Sequence, residues 1–114
     1  MKPIQRNREI AWSHFEKCHA GEGILNYKSM LDECDSEKFR FMHYDDIKSG
    51  VSIGIHEHPN NEELWYLVSG KGILTYDGAE YEMQAGDVSL CNMGHSHGFL
   101  ATEDSVLIVI GARQ

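Results

Sequence analysis

Basic residues are scarce in this chain. Ten lysines and arginines stand against eighteen aspartates and glutamates, a formal net charge of −8 over 114 residues. An acidic surface repels phosphate backbones, which argues against nucleic-acid binding through a basic face. No apolar run approaches the length that spans a membrane, and the N-terminus lacks the apolar core of a signal peptide. Cysteine is limited to Cys18, Cys34 and Cys91, an odd number without pattern. Together with the missing signal, this points to reduced thiols in the cytoplasm. Linkers, repeats and low-complexity segments are also missing. The length allows one domain with one core.

Glycine and short apolar segments are what the chain has instead. Nine of the eleven glycines lie from Gly50 onward, as expected of short strands joined by tight turns. Trp12, Phe15 and His19 fall at helical spacing, so a short helix is expected over Ile10 to His19, ended by Gly21 and Gly23. Strands are expected over Ile24 to Leu31 and Phe39 to Ile47, with a charged turn from Asp32 to Lys38 between them. Ser52 to His58 and Glu63 to Ser69 follow. Ile73 to Tyr76 and Glu80 to Met83 flank Asp77-Gly78, the strongest hairpin signal in the chain. Val88 to Asn92, His97 to Ala101 and Val106 to Ile110 complete the set. The apolar stretch Val106 to Ile110 reads either as a strand buried on both faces or as a subunit contact. The class is all-β, and pattern alone leaves an immunoglobulin-like sandwich and a jelly roll both open.

The chemistry concentrates in two places. On a strand, residues i and i+2 share a face, so His56 and His58 present two imidazoles side by side. Pro59-Asn60-Asn61 signals a turn that returns the chain with a carboxylate, Glu62 or Glu63. Glu63 shares parity with Trp65 and Leu67 and is preferred on that ground. The stretch from Gly86 to His97 supplies a third imidazole, His97. Three imidazoles and a carboxylate suit a divalent transition metal, with manganese, iron, nickel, cobalt and zinc all compatible. The bland alternative is a set of structural polar residues at strand edges, which would be costly to bury without an ion.

These segments resemble the two signature motifs of the cupin superfamily. Gly50, His56, His58, Glu63 and Gly70 match the first motif without a gap. Gly86, Gly94 and His97 match the second, while Asn92 stands where the motif has proline and Ala101 where it has asparagine. The resemblance covers about residues 40 to 110 and implies a small single-domain metal-binding cupin, a double-stranded β-helix or jelly-roll barrel with the metal in one mouth. Residues 1–23 would form an N-terminal extension and 24–114 the barrel. The metal ligands would be His56, His58, Glu63 and His97. Trp65 and Phe99, each two residues from a ligand on its own strand, are expected with Leu67 to line the pocket.

His95 is either a solvated turn histidine or a base at the pocket mouth. His14, His19 and His43 lack ligand spacing and read as surface or packing residues. Tyr66 is expected to point away from the metal, and Cys91 to be a small core residue.

The resemblance implies a small oxygen-rich ligand, a carboxylate or a sugar, and either of two roles. One is a metal-dependent enzyme of the dioxygenase, isomerase or decarboxylase type; the other is a binding or sensing domain without turnover. Oxalate-type relatives carry an arginine three residues before the first ligand histidine, where this chain has Ile53. Jelly rolls of this size commonly pair, so a homodimer is expected through Ile24 to Leu31 or Val106 to Ile110. No nucleic-acid or membrane partner is expected.

Overall fold

The computed structural model describes residues 2–113. The glycine-punctuated apolar segments form ten strands: β1 (Ser13–Glu16), β2 (Ile24–Ser29), β3 (Phe39–Ile47), β4 (Ser52–Glu57), β5 (Asn61–Ser69), β6 (Lys71–Tyr76), β7 (Ala79–Gln84), β8 (Val88–Cys91), β9 (Ser96–Ala101) and β10 (Ser105–Arg113). Every pairing is antiparallel. Six strands make one sheet in the order β1-β2-β3-β10-β5-β8, and four make the other in the order β4-β9-β6-β7. The two sheets face each other as a jelly-roll barrel.

Side-chain parity decides what fills the interior. On β5, Asn61, Glu63, Trp65 and Leu67 are buried in strict alternation. On β10, Leu107 and Val109 point inward, while Val106, Ile108 and Ile110 are only half-buried. That strand runs between β3 and β5, so its backbone is fully paired although its outer face is not fully covered. The inner faces meet in a core that includes Ile47, Trp65, Leu67, Phe99, Ala101 and Leu107.

Two local features confirm the turn chemistry. Asp77 and Gly78 both take positive φ, 47° and 82°, which a two-residue hairpin of the favoured twist requires. Gly72 lies under the ring of Phe99, where an added Cβ would come within 2.2 Å of Cζ. Only glycine fits at that crossing.

The helix expected over Ile10 to His19 does not form. Ser13–Glu16 is a strand, paired with β2 so that Phe15 lies opposite Leu25. A ten-residue helix alone is marginal in water, whereas the free edge of β2 offers backbone partners at once. The following turn closes the question: Lys17, His19 and Ala20 all take positive φ, a conformation no right-handed helix can hold. The described residues contain only single 3₁₀-type turns at Asn7–Glu9 and Cys18–Ala20. Within residues 2–23, Ser13–Glu16 thus supplies an edge strand to the larger sheet.

Candidate metal centre

His56 and His97 are register partners on β4 and β9. Their shared face is the inner one, and a register irregularity between Ile53 and His56 re-aims the end of β4. His58 follows just beyond the strand, held by backbone bonds from its N–H to the His95 carbonyl and from the Gly94 N–H to its own carbonyl. Glu63 comes from β5 in the opposite sheet. One ligand atom from each of His56, His58, Glu63 and His97 lies within 4.8 Å of the others. His58 Nε2 and His97 Nε2 approach to 2.8 Å. Glu63 Oε2 is 3.4 Å from His58 Nε2, and Oε1 is 3.6 Å from His97 Nε2.

The surrounding bonds aim these groups. His56 Nδ1 donates to the Gly54 carbonyl at 2.8 Å, and His58 Nδ1 donates to Asn61 Oδ1 at 3.2 Å. Carbonyl oxygens only accept, so both protons sit on Nδ1 and both Nε2 lone pairs face the cluster. His56 Nε2 is buried without any hydrogen-bond partner. Trp65 Nε1–H donates to Glu63 Oε1 at 2.6 Å, and its ring stacks on His97 with centroids 3.7 Å apart. Convergent nitrogen lone pairs around one carboxylate fit a divalent transition ion.

The protonation states agree. Burial lowers the His56 pKa to about 4, the carbonyl of Gly54 opposing it only in part. Burial also lowers the His97 pKa against the pull of Glu63. For Glu63, burial works upward, but the close His97 and His58 imidazoles and the Trp65 donor outweigh it and hold the carboxyl below its ordinary range. The lowered pKa values of His56 and His97 favour the neutral imidazole, and that of Glu63 the ionised carboxylate, the forms that bind a metal.

Glu62 is not part of the cluster; its Oε2 accepts from Asn92 Nδ2 on the outside. His95 is exposed and also stands apart, hydrogen-bonded through Nδ1 to Asp77 and stacked on Tyr76. Trp65, Leu67 and Phe99 are buried in the interior, and none of them is among the residues that line the cavity opening on His56 and Glu63. The cavity that opens on His56 and Glu63 has a volume of about 170 Å³ and a different wall: Phe15, His19, Tyr27, Phe41, His43 and Asp45, with Cys18 and Ile53. Tyr66 points outward and Cys91 is fully buried.

His19, His43 and Asp45 are the residues that motif spacing passed over. His19 stacks on His56 with centroids 3.6 Å apart, delivered by its left-handed turn. Nothing in the sequence announces that placement. His43 and Asp45 were findable, because they share β3 parity with the fully buried Ile47.

Over 105 residues the chain is 27% identical to a Thermotoga maritima protein named oxalate-binding protein, covering 91% of this chain and 87% of that one. The fold matches the crystal structure of a predicted oxalate decarboxylase from Thermotoga maritima with a TM-score of 0.93 at 24% identity, covering 97% of this chain and 99% of the other. It also matches an RmlC-like cupin from Shewanella frigidimarina with a TM-score of 0.83 at 14% identity, over 100% of this chain and 93% of that one. At these identities the two structural matches speak to fold alone. Residues 43–111, more than half of the chain and with all four clustered side chains among them, match the family model of the cupin domain, and the chain belongs to the cupin family.

Proposed function

We propose that this protein binds one divalent transition metal through His56, His58, Glu63 and His97 and uses it to hold a small oxygen-rich acid. The observation that carries this reading is the convergence of four ligand atoms within 4.8 Å. A bound ion of this class would act as a Lewis acid toward a carboxylate or carbonyl oxygen. The protein's own contribution is orientation and exclusion of water. Gly54 and Asn61 fix two imidazoles, Trp65 fixes the carboxylate, and the aromatic cavity wall limits solvent. The relative named oxalate-binding protein supports a small acid as ligand. Ile53, buried in the cavity wall, puts no cation where oxalate-type relatives carry arginine. This favours an acid-binding cupin over oxalate decarboxylation.

Two roles remain in play, and they differ in turnover. A metal-dependent enzyme would consume the acid, with or without oxygen uptake. A binding or sensing cupin would not, and the name of the Thermotoga relative favours that second role. Three free cysteines support a reducing, cytoplasmic setting. A homodimer is part of the same proposal. No helix of the described residues is long and apolar enough to cross a membrane.

The decisive measurement is elemental analysis of purified protein. Wild type is expected to carry close to one equivalent of a first-row divalent metal, and the double variant His56→Ala/His97→Ala close to none. Full metal in the double variant would remove the assignment.

A further inference from the structure

Asp45 is not one of the four clustered residues, and it is a buried carboxyl with an unpartnered oxygen. It stands on β3 with parity to Phe41, His43 and Ile47, so it points inward. It is 2% exposed. Its Oδ1 is buried and has no hydrogen-bond partner. A buried carboxyl oxygen left unpaired is strongly disfavoured, and core positions do not keep one for packing. Asp45 lines the same cavity of about 170 Å³ as His56 and Glu63. No lysine or arginine lines that cavity to neutralise it.

We infer that Asp45 is a ligand-binding residue, hydrogen-bonded to an oxygen of the small acid whose remaining oxygens are taken up at the His56–His58–Glu63–His97 centre. The inference rests on the metal reading and adds a ligand class to it. Burial, reinforced by the charge of Glu63, pushes the Asp45 pKa up to about 8. Burial, the larger cause, acts with or without an ion and favours the protonated form, which donates to an accepting oxygen of the ligand. Charge narrows the class further. A divalent ion with ionised Glu63 leaves one net positive charge, and the cavity wall offers no cation to balance a second negative one. The ligand is a singly charged acid with a further, neutral oxygen: a 2-oxo or 2-hydroxy acid. Size agrees, because the cavity volume corresponds to roughly half a dozen water-sized groups.

The test is a calorimetric titration of pyruvate into metal-loaded wild type, Asp45→Asn and Asp45→Leu, with propionate and oxalate as comparators. Metal content and melting temperature are measured on each sample. Wild type is expected to prefer pyruvate to both comparators. Asp45→Asn keeps a donor and should stay within about threefold of wild type. Asp45→Leu should bind pyruvate at least about tenfold more weakly, one hydrogen bond's worth or more. It should do so with unchanged metal content and an equal or higher melting temperature, since an unpaired polar group has been removed. Equal pyruvate affinity in Asp45→Leu would overturn the role of Asp45. A wild type that prefers oxalate would overturn the ligand class. Wild type that takes up no metal, or that binds pyruvate equally well with and without metal, would bring down the metal reading and this inference together, which separates that failure from the other two.

Discussion

Trp65, stacked on His97, and Asp45, in the cavity wall, are buried side chains that stand beside the four-residue cluster without belonging to it. Trp65 is wholly buried and donates to Glu63 while stacking on His97. Trp65→Phe keeps the ring and loses the donor. Metal affinity should fall about 10- to 100-fold, as for other outer-shell partners of metal ligands, read by competition with a chromogenic chelator. Unchanged affinity would show that Glu63 needs no such support. Asp45 makes a second prediction, through pH. Its folded-state pKa is raised, mainly by burial, from 3.8 to about 8. Between those values the folded chain binds more protons than the unfolded one, so this group makes stability fall as pH rises. In chelator-treated protein, Asp45→Asn should match wild type near pH 4 and gain on it steadily up to about pH 8. A difference in melting temperature that stays flat across that window would contradict a buried, protonated carboxyl. Much of this scale was legible in the sequence: strand parity and two spaced motifs select all four side chains that the fold brings together. The same parity rule, applied to β3, reaches His43 and Asp45. It was silent on His19, whose place depends on a left-handed turn.

At the scale of elements, turns with a strict backbone demand were readable and the N-terminal segment was not. Asp77-Gly78 needs two positive φ values, and few residue pairs satisfy that, so the β6–β7 hairpin is visible in two letters. Residues 10 to 19 satisfy a helical spacing and a strand pairing about equally well. The outcome was decided by the open edge of β2, which no local pattern reveals. That segment matters, because Phe15, Cys18 and His19 cover one side of the cavity. Its anchor is Lys28 on β2, whose Nζ donates to the Asn7 carbonyl at 2.8 Å and to Asn7 Oδ1 at 3.0 Å and lies 4.7 Å from the Trp12 ring centroid. Lys28→Met removes the charged hydrogen bonds and the ring contact, a local loss of about 2 kcal/mol. Amides of Ser13–Glu16 should then exchange faster while those of β10 hold their protection. Equal acceleration in both strands would mean that β1 and the barrel open as one unit.

For the whole molecule, the outer face of the six-stranded sheet is the feature that a lone barrel leaves unexplained. The side chains facing outward from β5, β8 and β10 include Leu64, Tyr66, Val68, Val88, Leu90 and Ile110, and Tyr66, Val68, Val88 and Leu90 are each more than 40% exposed. A groove of about 200 Å³ runs among Phe39, Leu64, Leu90, Ile110 and Ala112, with Glu62 as its one charged lining residue. A chain of net charge −8 that keeps so much contiguous apolar surface on one face points to a partner surface. The edge strand β8 lies within it, open on one side. Neither β2, between β1 and β3, nor β10, between β3 and β5, has a free edge; of the two contacts expected, Ile24 to Leu31 and Val106 to Ile110, the second lies on the apolar face beside β5 and β8 and is the one we propose. A second copy of the same face satisfies a two-fold contact, and a stable dimer buries about 800 Å² on each partner. Wild type should therefore sediment at twice 12.9 kDa. Leu90→Glu combined with Ile110→Glu places two like charges in each half of the contact and should give a 12.9 kDa species. Metal content should not change, because neither side chain faces the barrel interior. Wild type that sediments as a single 12.9 kDa species at micromolar concentration would leave the apolar face to some other partner and refute the dimer.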